Sequence, residues 1–165
     1  MPWKNGGGLT TELFQLPGIS VGSFLIRLSC AEISTDGPFS FFPNLDRILI
    51  LIEGNGFILK SSKRHVELSH KLEPIKFKGE EVFSCALIDG PCVDFNIMTD
   101  RNFANAKISF LLPDESGSIK ILADCDLKFI YDIKTENLYS MENRDEYNLE
   151  VFKGSSMIVI DINRL

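Results

Sequence analysis

The residues best suited to recognition chemistry are polar side chains at alternate positions within otherwise apolar segments. In the segment 23–33, Arg27 and Ser29 alternate with large apolar residues, so a β-strand would place both on one face. Arg47 and Asn96 hold comparable positions in two further apolar segments. The planar guanidinium group matches a carboxylate through two parallel hydrogen bonds. These residues therefore predict a cavity inside a β-barrel that binds a carboxylate-bearing ligand.

Other interpretations of these positions stay open. The polar groups could face solvent, or they could form structural ion pairs such as Arg27 with Asp94. An enzyme is the alternative of another class, a metal-independent isomerase or hydrolase that acts on a small carboxylated substrate. Lys4, Glu12 or Asp94 would then be the general acid or base, with a pKa that a closed apolar cavity moves toward neutrality. A protein-interaction scaffold that uses the FSFF stretch at residues 39–42 is a third alternative.

Histidines and cysteines offer no signature of a metal site or a nucleophile. His65 and His70 lie five positions apart in a polar stretch, so a strand would point them to opposite faces. The four cysteines include no CxxC pair, and three of them sit in strand-like apolar runs. We therefore expect surface histidines and reduced thiols, and no metal, no other cofactor and no catalytic residue.

Composition limits the class of partner. The chain has 165 residues, a net charge of −6 and a pI near 4.9, without a run rich in lysine and arginine. Nucleic acids and anionic membranes both require a concentrated basic surface. The chain also has no apolar run near the roughly 18 residues of a spanning helix, and no secretory pattern at its start. We expect a cytoplasmic protein that binds neither nucleic acid nor membrane; its oligomeric state stays open, a homodimer being one alternative.

The elements that must position the polar residues are short β-strands. The apolar runs are rich in Ile, Val and Phe, follow a period of two, and are bounded by Gly, Pro, Asn or Asp. This pattern predicts an all-β sandwich or barrel. The sequence predicts hairpins at Asn55-Gly56 and at 113–118, and a surface loop at 134–147. The predicted strands are 9–14, 23–33, 46–52, 56–60, 81–88, 93–99, 107–112, 118–123, 128–133, 147–152 and 156–163.

Four sequence blocks, in order, carry a resemblance to a known family. They are PWKNGGGLTTE at 2–12, the segment 27–59 that contains RLSCAEI and DGPFSFFPNLDRILILIEGNGFIL, PIKFKGE at 74–80, and DGPCVDFNIMTDR at 89–101. Together they resemble the HutD family, the histidine-utilisation D proteins related to the Ves proteins. The resemblance implies a bicupin, two β-barrels side by side in one chain. Residues 1–165 would form a single such unit, with 1–100 carrying the motif-rich strands and 101–165 completing the second barrel.

The resemblance also implies a function and a set of site residues. It implies a non-enzymatic factor that tempers histidine breakdown by sensing a small carboxylated metabolite such as urocanate or formylglutamate. The family is also similar to metal cupins in fold but lacks their histidine ligands. Because the chain begins at the first block, we expect either that a strand which usually precedes it is missing or that the start codon is misassigned. The glycines at 6–8 would let the backbone approach a ligand or, alternatively, let an edge strand bend. The implied ligand-binding residues are Trp3, Lys4, Asn5, Arg27, Ser29, Phe39, Ser40, Arg47, Asn96, Met98 and Arg101.

Overall fold

The computed structural model describes residues 1–3, 6–142 and 146–165, and in these ranges every regular element is a β-strand. The prediction of an all-β chain is confirmed. The strands divide between two compact units, Met1–Phe103 (unit 1) and Ala104–Leu165 (unit 2). Across the described ranges, no helix is long and apolar enough to cross a membrane.

Unit 1 consists of two antiparallel sheets around an apolar core. Its strands are β1 (Gly8–Pro17), β2 (Phe24–Ile33), β3 (Gly37–Pro38), β4 (Leu45–Glu53), β5 (Phe57–Lys60), β6 (His65–Leu68), β7 (Pro74–Lys78), β8 (Ser84–Leu87) and β9 (Cys92–Asp100). The first sheet has the order β1-β2-β9-β4-β7 and the second the order β3-β8-β5-β6. Leu49 and Leu51 from the first sheet pack in one buried cluster with Phe57 and Leu59 from the second. This cluster fixes the position of the strands that carry the polar residues.

The three central strands of the first sheet separate apolar and polar side chains between two faces. Alternate residues along β2, β9 and β4 share a side of the sheet, and on one side the central positions are mostly buried apolar side chains. The polar residues singled out in the sequence occupy the other face. The buried apolar residues of the first face are Ile26, Leu28, Ile48, Ile50, Phe95 and Ile97.

Unit 2 also contains two antiparallel sheets. Its strands are β10 (Ala104–Leu111), β11 (Gly117–Leu122), β12 (Leu127–Asp132), β13 (Asn137–Glu142), β14 (Glu146–Val151) and β15 (Met157–Arg164). One sheet has the order β10-β15-β12-β13, and β11 pairs with β14 in the other. Its core cluster includes Ile130 and Met157 from the first sheet and Leu149 from the second.

Neither predicted hairpin forms. The turn around Asn55-Gly56 joins β4, which pairs with β7 and β9, to β5, which pairs with β6 and β8. Of the two predicted turn residues only Gly56 adopts positive φ, together with Gly54 before them, and the chain crosses from one sheet to the other. The segment 113–118 likewise joins β10, which pairs with β15, to β11, which pairs with β14. A turn motif indicates a reversal and does not reveal the partner of each strand.

The predicted loop at 134–147 is also wrong, because it contains β13 and the start of β14; residues 143–145 lie outside the described ranges. β13 is the edge strand of its sheet and pairs with β12 alone. Most of its side chains are exposed, with Met141 buried, so it lacks the apolar alternation that marks a half-buried strand. The edge strand β6 also escaped prediction; it does alternate polar and apolar residues, but it is only four residues long.

Candidate functional site

The polar face of the first sheet in unit 1 borders a small chamber that adjoins a wider cleft. The chamber has a volume of about 40 Å³ and the cleft about 600 Å³. At roughly 10–15 Å³ of such volume per water, the chamber holds about three waters or one carboxylate group. The cleft falls in the size range of small-molecule sites. The chamber is lined by Trp3, Thr10, Arg27, Ser29, Ala31, Phe39, Ser40, Phe42, Arg47, Asp94, Asn96 and Met98, and six of these, with Met1, Pro2 and Pro38, line the cleft.

Strand register arranges the lining residues in successive rows. Arg27 and Arg47 both lie opposite Met98 and form the first row. Ser29 lies opposite Asn96 in the second row, and the third contains Ala31, Asp94 and Leu51. Rows two residues apart along a strand are separated by roughly 6.6 Å, so Arg47 and Asp94 start from backbone positions about 13 Å apart. The chamber therefore has a cationic end, an amide and hydroxyl middle, and a carboxyl end.

Arg47 is a buried cation held mainly by aromatic rings. Its side chain is 3% exposed, and its guanidinium carbon lies 4.8, 5.3 and 5.1 Å from the ring centres of Phe39, Phe42 and Phe77. Nη1 donates a hydrogen bond of 3.1 Å to the carbonyl of Ser40, while the buried Nε has no partner. Burial lowers the pKa of Arg47 to about 10, so the group remains charged at neutral pH.

Asp94 and Asn96 place buried acceptor oxygens in the chamber that receive no hydrogen bond. Their residues are 1% and 5% exposed, and both carboxyl oxygens of Asp94 and Oδ1 of Asn96 have no hydrogen-bond partner. Burial raises the pKa of Asp94 to about 7, against the attraction of the Arg47 charge. In the described part of the chain, five buried side-chain polar atoms lack a partner, and four belong to Arg47, Asp94 and Asn96. Native proteins leave few such atoms, so their concentration here makes the chamber the candidate functional site.

Arg27 holds the outer side of the cationic row. Its Nε donates to Oε2 of Glu12 at 3.0 Å, and its guanidinium carbon lies 5.6 Å from the ring centre of Phe24. The alternative of an ion pair between Arg27 and Asp94 is therefore wrong; the partner is Glu12 on the neighbouring strand β1. Because Arg27 lines both chamber and cleft, it places a second guanidinium group at their junction.

The amino-terminal segment supplies one wall of the site. The Trp3 indole donates from Nε1 to Oγ1 of Thr10 at 2.7 Å, and the Trp3 amide donates to the Gly8 carbonyl at 2.9 Å. A Cβ on Gly8 would lie 2.3 Å from the Glu32 carbonyl oxygen and 3.1 Å from the indole ring. Gly8 therefore provides the space in which Trp3 packs against β1, an edge strand with a bulge between Glu12 and Phe14.

The structure brings most of the predicted site residues together. Lys4 and Asn5 lie outside the described ranges. Arg101 is not among the lining residues, because its guanidinium forms a two-fold pair with Glu80 and also bonds to Asp46. The residues that do line the chamber are Trp3, Arg27, Ser29, Phe39, Ser40, Arg47, Asn96 and Met98.

Four lining residues were not predicted as ligand contacts. One is Ala31, which lies on the polar face by the alternation of β2. Asp94 shares the face of Asn96 and Met98 by simple alternation, so the sequence contained its signal. Phe42 belongs to the FSFF stretch, and Thr10 lies in the first family block, but nothing in their types or spacing singles them out. Their positions follow from a loop conformation and from the pairing of β1 with β2.

The remaining candidate ligands for a metal lie elsewhere. His65 and His70 are exposed, as predicted. In unit 2, Asp124, Cys125 and Asp161 come together, but the ammonium group of Lys128 forms ion pairs with both aspartates. A lysine thus already supplies the positive charge that this cluster requires. None of the four cysteines, all within the described ranges, forms a disulfide.

The sequence matches the family model HutD over residues 1–155. The chain belongs to the HutD family. Protein Ves of Escherichia fergusonii is 36% identical over 107 residues, which are 64% of this chain and 56% of Ves, so the match spans little more than half of that relative. An uncharacterised 21.2 kDa protein from the hutC 3′ region of Pseudomonas putida is 28% identical over 152 residues, 92% of this chain and 78% of the relative.

Solved structures extend the similarity to the fold. HutD from Pseudomonas fluorescens SBW25, in a formate condition, superposes with a TM-score of 0.75 at 26% identity, covering 100% of this chain and 93% of that one. A conserved protein of unknown function from Pseudomonas aeruginosa PAO1 gives a TM-score of 0.83 at 22% identity, covering 99% and 93%. A cupin 2 conserved barrel domain protein from Leptotrichia buccalis superposes with a TM-score of 0.51 at 10% identity. The match covers 94% of this chain and 89% of that one. The fold of this HutD protein is cupin-like.

Proposed function

We propose that this HutD protein is a non-enzymatic, cytoplasmic metabolite-binding protein that modulates histidine utilisation. Its ligand is a small carboxylate such as urocanate or formylglutamate, bound at the chamber of unit 1. The observation that carries the proposal is the buried guanidinium group of Arg47, whose Nε lacks a partner. An anion is the ligand that satisfies such a group most strongly.

The energetics of Arg47 favour an anionic ligand over a neutral one. Transfer of a cation into a protein interior costs several kcal/mol unless charge and hydrogen bonds compensate. The aromatic cage and one backbone carbonyl supply part of this compensation. Asp94 supplies a negative charge at a distance but no ion pair, because no contact within 4.0 Å joins Asp94 to Arg47, both of which are described. A ligand carboxylate at the cationic row would complete the compensation.

The dimensions of the site suit a ligand with one carboxylate head and a larger remainder. The chamber of about 40 Å³ accommodates the head, and the cleft of about 600 Å³ accommodates the remainder. Trp3 and Phe39 line both spaces, so a planar group in the cleft would contact aromatic side chains. Urocanate combines one carboxylate with a planar imidazole, and formylglutamate combines two carboxylates with a planar amide, so one of its carboxylates would stay in the cleft.

The biological context comes from the relatives. One relative takes its name from a position beside hutC, and one similar structure is that of HutD itself. These names support an assignment to histidine utilisation, and the carboxylated intermediates of that pathway are the natural ligands to test.

Calorimetric titration with urocanate, formylglutamate and formiminoglutamate tests the proposal. We expect saturable heat with at least one compound, and a loss of affinity of about tenfold or more in Arg47→Met, because a charge-assisted two-fold contact is removed. Arg64→Met is the matched control: like Arg47, Arg64 lies against an aromatic ring, 5.5 Å from the ring centre of Phe83, but it pairs with Glu81 and does not line the chamber.

Two results would contradict the proposal. One is the absence of heat with all three compounds in protein shown to be folded. The other is unchanged affinity in Arg47→Met, which would place the ligand elsewhere.

The second candidate function is a metal-independent isomerase or hydrolase that acts on a small carboxylated substrate. The near-neutral pKa of Asp94, a chamber-lining carboxyl group, favours it, because a general acid or base works best near the operating pH. Prolonged incubation of the three compounds with the protein, followed by NMR, detects any product. Product formation that Asp94→Asn abolishes would support this candidate, and unchanged compounds would exclude it for these substrates.

A further inference from the structure

The charge balance of the chamber leads beyond the identity of its ligand. Among the described residues that line the chamber, the charged side chains are Arg27, Arg47 and Asp94. Glu12 neutralises Arg27 through its ion pair. Arg47 and Asp94 then cancel one another, so the interior has no formal net charge before a ligand enters. A bound carboxylate adds one negative charge that no further buried cation in this described set offsets.

We propose that a carboxylate enters the chamber together with one proton, and that Asp94 takes up this proton. This inference rests on the proposed function and describes how the same site is regulated. The proton comes from solvent and converts the Asp94 carboxylate to the carboxylic acid; no other bond forms or breaks. Occupied by anion and proton, the chamber regains the charge balance of the free protein.

The surroundings of Asp94 suit the protonated form. An ionised carboxylate in a protein interior requires donors, and neither oxygen of Asp94 has one among the described residues. The protonated form requires fewer partners, because it donates one hydrogen bond itself. Asn96 lies in the adjacent row with an unpaired Oδ1, which is an acceptor on the same face.

The Arg47 charge is the main force that keeps Asp94 ionised in the free protein. It opposes the burial that raises the pKa of Asp94 to about 7, so at pH 8 most molecules hold the carboxylate form. A ligand carboxylate beside Arg47 offsets that attraction and adds a repulsion of its own. Both effects raise the pKa of Asp94 further and draw a proton into the site.

The other titratable groups near Asp94 do not compete for this proton. Arg47 faces it from β4, and Arg27 from β2 lies near Arg47. Cys85 on β8 and Cys92 on its own strand both interact with its charge, but burial raises the pKa of each thiol to about 12. Both thiols are therefore neutral at pH 8. Among the described neighbours, Asp94 is the group whose protonation changes near neutral pH.

Calorimetry in buffers of different ionisation enthalpy measures the proton directly. The titrant is urocanate at pH 8, where it carries a single negative charge, with formylglutamate, which carries two carboxylates, as the second probe. The slope of observed enthalpy against buffer ionisation enthalpy gives the protons taken up. We expect about 0.5 to 0.9 proton per ligand in the wild-type protein, because the free Asp94 is about one-tenth protonated at that pH.

Variants assign the proton to its site. Asp94→Asn should bind with an uptake near zero, and its affinity should stay nearly constant from pH 6 to 9. The wild-type affinity should fall over the same range, by up to about tenfold per pH unit at the upper end. Asp89→Asn is the matched control, because it is the same change at an exposed position outside the chamber lining. It should retain the wild-type uptake.

The outcomes separate this inference from the proposed function. Wild-type binding without proton uptake would overturn the inference and leave the carboxylate site intact. Unchanged uptake in Asp94→Asn would assign the proton to another group and also overturn it. A folded protein that binds none of the tested compounds would instead refute the proposed function, and this inference with it.

Discussion

Substitution of Asp94 by asparagine is expected to flatten the pH dependence of stability. Burial raises the pKa of this carboxyl group from 3.8 to about 7 on folding, against the attraction of Arg47. A group whose pKa rises on folding contributes stability below its unfolded value and loses that contribution as pH rises through its folded value. The wild-type protein should therefore lose stability at Asp94 between pH 5 and pH 8. An asparagine has nearly the same shape and does not titrate.

The magnitude follows from the two pKa values. With 3.8 in the unfolded chain and about 7 in the folded one, the contribution at pH 5 is about 2.7 kcal/mol and at pH 8 close to zero. The difference in stability between Asp94→Asn and wild type should therefore shift by about 2.5 kcal/mol in favour of asparagine from pH 5 to pH 8. Groups elsewhere cancel in this comparison.

Urea unfolding followed by tryptophan fluorescence measures this shift. The chain has one tryptophan, Trp3, which lies in unit 1 with Asp94 and reports on that unit. Asp89→Asn serves as the control and should follow the wild-type pH profile. Parallel profiles for Asp94→Asn and wild type would refute the argument, because they would mean that Asp94 has the same pKa in both states.

Three further substitutions probe other parts of the account. Arg47→Met should raise the pKa of Asp94 above that of the wild-type protein, because the attraction that lowers it is lost; NMR titration of the carboxyl carbon would show this, and an unchanged or lower pKa would contradict it. Gly8→Ala should destabilise unit 1 by about 1–3 kcal/mol, because the new Cβ would lie 2.3 Å from a carbonyl oxygen. Gly117→Ala in unit 2 is the control and should leave stability nearly unchanged, because a Cβ there meets open space. Thermal unfolding measures both variants. Equal effects of the two alanines would exclude a steric role for Gly8. Arg101→Met should bind formylglutamate within about twofold of the wild-type protein by calorimetry, because Arg101 does not line the chamber; a tenfold loss would contradict this.

The sequence predicted the polar face of the site because the face depends on local alternation. Arg27, Ser29, Arg47 and Asn96 each sit in an apolar strand, and a strand places alternate residues on one side whatever its partners are. The prediction of one shared chamber then required only that these strands belong to one sheet, as β2, β9 and β4 do.

The features that the sequence did not reveal depend on partners distant along the chain. Arg101 carries the same guanidinium group as Arg47, but Glu80 occupies it, and no local pattern distinguishes the two arginines. That neither oxygen of Asp94 accepts a hydrogen bond depends on the residues of the neighbouring strands, which the local sequence does not specify. Edge strands such as β13 need few apolar residues, so periodicity does not detect them.

NMR of arginine side chains tests the central claim most directly. The Nε–H resonance of Arg47, assigned by its disappearance in Arg47→Met, reports on a buried donor that lacks a partner. On titration with urocanate or formylglutamate, we predict a saturable shift of this resonance, while the Nε–H of Arg64, already bonded to Glu81, stays in place. A ligand that saturates the protein and leaves the Arg47 resonance unmoved would show that the carboxylate binds elsewhere.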